Sequence, residues 1–160
     1  MKFFQIAIAA LILTGSVFSA NKIRIAVNYF DVVSGVDPNL KTTLAVLLES
    51  KLSTTGRFTV VDRANLDKVL KEQSIQLGGC SDSACAVKVG NILNVQRMAI
   101  GNLIRISKRY KVVIKFLDVE LGSLDEVVGT VEEWANGEEE LEKAIDRVAQ
   151  TISERVPLTG

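Results

Sequence analysis

The chain has no histidine. That removes the commonest general base near neutral pH, and with it any Ser-His-Asp or Cys-His arrangement. Cys80 and Cys85 are the only cysteines, so a four-ligand zinc site lacks both the thiolates and the imidazoles it needs. Neither a G-x-x-x-x-G-K-[ST] loop nor a G-x-G-x-x-G turn occurs, and the usual phosphate cradles are missing with them. Net charge is also absent, with 19 basic and 19 acidic groups over 160 residues. Nucleic acid requires clustered Lys and Arg on a basic domain, so no nucleic-acid partner is expected, nor a membrane-surface patch. No cofactor or metal is expected either. What remains is a chain of ordinary globular composition, 48% hydrophobic and 24% charged, long enough to bury one core unaided.

The opening residues carry the clearest signal. Met1-Lys2 supplies a short positive start, Phe3 to Leu13 an apolar run broken only by Gln5, and Thr14-Gly15-Ser16 a turn-prone break before the small residues Ser19 and Ala20. This is the three-part layout of a secretory leader, assigned to residues 1–20, with cleavage after Ser19 favoured over Ala20. A permanent anchor is the alternative, since Phe3 to Ala20 approaches the length of a membrane span. After leader cleavage no stable membrane span is expected. Export bears on Cys80 and Cys85. An even count in an oxidising compartment favours a structural disulfide over free thiols, and C-x4-C is not the C-x-x-C of redox pairs.

Lys22 to Phe30 alternates like a strand that is partly buried on both faces. Asp37 and Pro38 read as the N-cap and first position of a helix carrying Leu40, Leu44, Leu47, Leu48 and Leu52, with Gly56 past its end. A strand over Phe58 to Val61 follows, then a helix from Asp62 to Gln73. After the Gly78-Gly79 break comes a helix capped by Asp82, with Ala86, Val89, Ile92 and Leu93 inward. Arg97 to Ile106, Tyr110 to Glu120 and Glu126 to Trp134 have the period-two pattern of an antiparallel meander. A helix from Glu138 to Arg155 closes the chain, acidic at its start and basic at its end. The expected order is β-α-β-α-α-β-β-β-α. The fold class is a mixed α/β sheet with a C-terminal meander and helices packed mainly on one face. A single domain is assigned to residues 21–156, with 157–160 as a tail.

Few residues offer chemistry. Asp118 and Glu120, two apart on a strand, would share a face, and paired acids can run glycoside hydrolysis. Their position before the Leu121-Gly122-Ser123 turn equally suits solvated acids. Arg57, Asp62 and Arg63 bracket the second strand, where a local ion pair is the simplest reading. Trp134 reads as a core or edge anchor, with an interaction hot spot as the alternative. Enzyme activity is not expected.

The run Gly56-Arg57-Phe58-Thr59-Val60-Val61-Asp62-Arg63, followed by Leu66, Val69, Leu70, Glu72 and Gln73, resembles the core of a known family. That family groups the curli secretion protein CsgG with the penicillin-binding-protein activator LpoB. Ile23 to Phe30 is similar to the family's opening strand, and Gly101, Asp118 and Gly122 fall on later motif positions. The family-motif residues carried over, all structural, are Gly56, Phe58, Asp62, Arg63, Leu66, Gly101, Asp118 and Gly122. The segment from Gly79-Cys80 to Cys85-Ala86 resembles a paired-cysteine variant found among exported members. The resemblance implies an anticodon-binding-domain-like fold in the periplasm or at the outer membrane. It also implies a non-catalytic role through contacts with an envelope protein partner, or through self-association. Two departures matter: the lipid-accepting cysteine of CsgG and LpoB is missing, and no long alternating insert remains to build a pore. An assembly or activator role is therefore favoured. An oligomeric export-complex subunit comes second, and an acid-pair hydrolase third.

Overall fold

The computed structural model describes residues 21–75, 80 and 82–157. The leader, the Gly78-Gly79 break and all but Pro157 of the tail lie outside the described residues. Elements in chain order are β1 (Ile23–Val27), β2 (Asp31–Val32), α1 (Leu40–Thr54), β3 (Phe58–Val60), α2 (Arg63–Glu72), α3 (Ser83–Ile92), β4 (Arg97–Ile106), β5 (Arg109–Asp118), β6 (Ser123–Leu124), β7 (Thr130–Ala135) and α4 (Leu141–Arg155).

The seven strands form one mixed sheet, β3-β1-β4-β5-β6, with β2 beside β4 and β7 beside β5. β1 runs parallel to both β3 and β4, and β4, β5 and β7 form the expected antiparallel meander. The order matches the expectation except for two further short strands, β2 and β6, which lie outside the expected ones. After β1 the Asn28 N–H still donates to Ala99 O at 2.9 Å, and beyond Phe30 the chain rejoins β4 as β2, which pairs Asp31 and Val32 with Asn102 and Leu103. Between them Phe30 folds over Gly101, where an added Cβ would lie 2.5 Å from its ring. The third meander strand does not run unbroken from Glu126. The Asp125 carboxylate accepts the N–H of Val127 (2.9 Å) and Val128 (2.8 Å), and those groups are lost to the ladder. β6 therefore precedes that loop and β7 follows it.

Strand alternation sends apolar side chains to both faces, which builds two cores. Ile25, Val27, Ala99, Leu103, Val112 and Ile114 pack under α1 and α4, the main helical face. Ala26, Met98, Ile100 and Leu117 face the other way and are covered by α2 and α3, a smaller second layer. Ile92, expected inward, is exposed. It ends α3, and the chain turns at Asn94 with positive φ, so Leu93 and Val95 take the inner positions. Asp37 caps a turn and not α1 itself: its carboxylate accepts from Asn39 N at 2.9 Å, and α1 begins at Leu40. A short 3-10 turn over Glu138–Glu140 precedes α4. Two α4 arginines reach backbone carbonyls on the meander's outer side. Arg147 donates to Trp134 O at 2.8 Å, and Arg155 donates to Val128 O at 2.9 Å.

Candidate functional site

β1 and β3 are adjacent and parallel, yet the chain leaves them in opposite directions. After β1 it crosses to α1 on one face; after β3 it enters α2 on the other. The carboxyl ends of strands that diverge in this way are where α/β sheets commonly bind ligands. Five side chains meet there. Asn28 and Tyr29 follow β1, Glu49 comes from α1, and Arg63 and Asp67 from α2.

Four of them, Tyr29, Glu49, Arg63 and Asp67, form one network. Arg63 Nη2 pairs with Glu49 Oε1, and the guanidinium lies 4.6 Å from the centre of the Tyr29 ring. Tyr29 O–H donates to Asp67 Oδ1 at 2.7 Å. The side chains of Arg63 and Glu49 are only 16% and 14% exposed. Burial, with added repulsion from Asp67 and Asp62, pushes the Glu49 carboxyl up to about 7 against the attraction of Arg63. Burial, and then the bond to Asp67, also raises Tyr29. Asn28 is buried and donates to Cys80 O at 2.7 Å. Among the described residues Asn28 Oδ1, Arg63 Nε and Arg63 Nη1 have no hydrogen-bond partner. A carboxyl titrating near neutrality is what acid–base chemistry uses. Glu49, however, is packed against Arg63 and mostly buried between α1 and α2. The network clasps α1 to α2.

The expected local ion pair around β3 is not formed. Asp62 N-caps α2 through Asn65 N at 3.0 Å, Arg57 donates to Val156 O at 2.9 Å, and Arg63 turns to Glu49. The acid pair is not a pair either. Asp118 ends β5 and is buried, whereas Glu120 lies exposed in the following turn. The partner of Asp118 is Arg97, at 3.0 Å, which also holds Asp125 at 2.6 Å. Asp118 Oδ1 accepts from Leu121 N at 2.9 Å. Burial alone would raise the Asp125 carboxyl. The N–H of Val128, the Arg97 guanidinium and the N–H of Val127 outweigh it and hold the group below its ordinary range. Both acids are structural staples of the β5–β6–β7 connection.

The remaining motif residues have local tasks. Gly56 takes φ +73° directly after α1, and Gly122 takes φ +68° in the turn after Asp118, a conformation that favours glycine. Phe58 packs edge-on against Phe116 at 6.3 Å, and Leu66 is buried under α2. Cys80 and Cys85 are bonded, joining the first turn of α3 to the segment that holds Asn28. Trp134 is exposed, with Arg109 and Lys111 over its ring at 4.5 and 5.7 Å. Among the described residues no cluster of acids and cysteines could hold a metal ion, and no helix is long and apolar enough to cross a membrane.

Sequence reasoning did not single out Asn28, Tyr29, Glu49, Asp67, Arg97 or Asp125. Glu49 left a trace: it lies four residues after Ala45 and three before Leu52, on the buried stripe of α1. The Arg97–Asp118 contact depends on strand register and had no such trace.

The family model for the curli production assembly/transport component CsgG matches residues 8–111, more than half of the chain. No curated protein sequence matches it. Among solved structures, the LpoB C-terminal domain from Escherichia coli aligns with TM-score 0.61 at 10% identity, over 76% of this chain and 88% of that one. The same domain from Salmonella enterica gives TM-score 0.56 at 11% identity, covering 71% and 82%. A PelC L103M dodecamer from Paraburkholderia phytofirmans gives 0.52 at 13% identity, covering 84% and 90%. At these identities the likeness is one of fold.

Proposed function

The chain belongs to the CsgG family, and from that premise we propose that it is a non-catalytic protein-binding module of the cell envelope. The leader over residues 1–20 exports it, and the domain over 21–156 acts in the periplasm or at the periplasmic face of the outer membrane. There it has an assembly or activator role. The observation that carries this reading is where the ionisable groups sit. Arg97, Asp118 and Asp125 are locked in one knot, and Glu49, Arg63, Tyr29 and Asp67 are locked in another. Neither arrangement presents a nucleophile and base to an open cleft. Both rigidify a surface, which suits recognition.

The test is crosslinking in intact cells from photoreactive residues placed around the domain, followed by mass spectrometry. The expected result is repeated recovery of one envelope protein. Recovery of none, or a mature chain found only in the cytoplasm, would overturn the reading. A second reading, an oligomeric subunit of an export complex, draws support from the dodecameric PelC structure with the same fold. An exclusively monomeric mature protein, soluble without detergent, would eliminate it.

A further inference from the structure

One face of the sheet is only partly covered by the chain's own helices. Opposite α1 and α4, α2 and α3 lie over the part near β1 and β3. Beyond them a groove of ≈ 420 Å³ runs over β2, β4, β5 and β7, and neither helix contributes a residue to it. Ile104, Val113 and Val33 form its apolar part. Strand alternation puts Ile106 and Trp134 on the same face beside it, 50% and 37% exposed. A layer of helices is the ordinary cover for such a face, and this part has none among the described residues.

Four charged side chains line the groove, two of each sign: Asp31, Glu132, Lys111 and Lys115. Two of them satisfy each other, Lys111 pairing with Glu132 at 2.7 Å. The other two, Asp31 and Lys115, are exposed and make no ion pair or side-chain hydrogen bond among the described residues. Strand register fixes their relative position. Asp31 lies opposite Asn102, Asn102 opposite Val113, and Lys115 two residues along from Val113. Two strand spacings across and two residues along put the Asp31 and Lys115 backbones about 12 Å apart. The groove is neutral in sum and polarised, with a free carboxylate at one end, a free ammonium at the other and apolar contact alongside.

That pattern selects an occupant. A segment of one charge sign would satisfy one end and be repelled at the other. An extended segment laid on the face would meet side chains and no ladder, which leaves its own N–H and C=O groups unpaired. A helix satisfies those groups itself, and at 1.5 Å per residue about 12 Å is about eight residues, or two turns. A cation and an anion two turns apart share one helix face, and apolar residues on the turn between them meet Val113 and Ile104.

We propose that the open half-face docks an amphipathic helix of a partner protein, which sets a basic side chain on Asp31, an acidic one two turns away on Lys115, and an apolar stripe over Val113 and Ile104. The proposal rests on the protein-binding reading above and adds the surface used and the chemistry of the segment it takes.

The test is crosslinking in intact cells from a photoreactive residue placed at Val33 or Ile106, both exposed beside the groove. Val46, exposed on α1 across the sheet, is the control position. The captured peptide is mapped by mass spectrometry. The expected result is capture, from the groove positions, of a helical segment carrying a base and an acid two turns apart. Asp31→Lys and Lys115→Glu, both at exposed positions, should each cut the crosslink yield at least about tenfold with unchanged circular dichroism. Reversing the matching charge on the captured segment should restore it. Capture from Val46 alone would overturn the proposal and leave the protein-binding reading intact, whereas capture from no position would overturn both. A captured peptide from a second copy of this chain, a segment of one charge sign, or a yield indifferent to both reversals would also overturn the proposal.

Discussion

Raising the pH through neutrality should destabilise this protein, and one residue should account for it. The Glu49 carboxyl, between α1 and α2, is pushed from its ordinary 4.5 up to about 7, chiefly by burial. Its folded value lies above its unfolded value, so the protonated form is the one the folded state favours. The stabilisation is therefore complete below about pH 4.5 and is lost as pH rises through about 7. A displacement of that size corresponds to about 3 kcal/mol, a large share of a small domain's total stability. The window is unusually clean because the chain has no histidine. Urea unfolding between about pH 5 and about pH 8 measures it directly. Glu49→Gln, which mimics the protonated side chain, should match the parent at the acidic end and exceed it by up to about 3 kcal/mol at the basic end. The opposite outcome is equally definite. If the Arg63 ion pair dominates burial, Glu49→Gln destabilises most at high pH, and the reasoning fails.

Asp125→Ala should cost about 3 kcal/mol, since it strands two backbone N–H groups and a partly buried guanidinium. A loss within about 0.5 kcal/mol in urea unfolding would contradict the staple role. The Asp125 carboxyl is held below its ordinary range, so its own contribution should persist at neutral pH and disappear on acidification through the lowered value. Gly101→Ala should cost about 2 kcal/mol in thermal unfolding, because its Cβ would press on the Phe30 ring. An unchanged melting temperature would show that the ring can move aside. Reducing the Cys80–Cys85 bond should remove about 2 kcal/mol while the sheet persists by circular dichroism, since it closes only a small loop. Complete unfolding on reduction would show that the bond does more than staple α3.

Hydrophobic period revealed most of the architecture. The leucines of α1 and the stripe of α4 face the core as their spacing implies, and the three β-rich runs pair as a meander. What stayed hidden was decided by side chains acting on backbone over short distances. Asp125 takes the N–H groups that an unbroken strand would need, and Phe30 displaces the chain between β1 and β2 to cover Gly101. Alternation at Ala26, Met98 and Ile100 did signal two buried faces, but it did not say which helices would cover the second. The cluster between α1 and α2 was the least legible part. Its members sit at positions 28, 29, 49, 63 and 67, and only the crossing of α1 and α2 to opposite faces brings them together. The motif gave Asp62 and Arg63 as neighbours, yet one caps a helix and the other reaches across to α1.

The two guanidinium groups that α4 extends to Trp134 O and Val128 O bear on how other chains can approach. A free strand margin is a template onto which any extended peptide can add itself, with little regard for sequence. Here an added strand would have to displace two charged donors anchored on α4 before forming its first bonds. Promiscuous annealing at that margin is thereby made unfavourable, both for unfolded neighbours in a crowded compartment and for copies of the chain itself. Recognition is left to faces and ridges, where shape and charge can tell one partner from another.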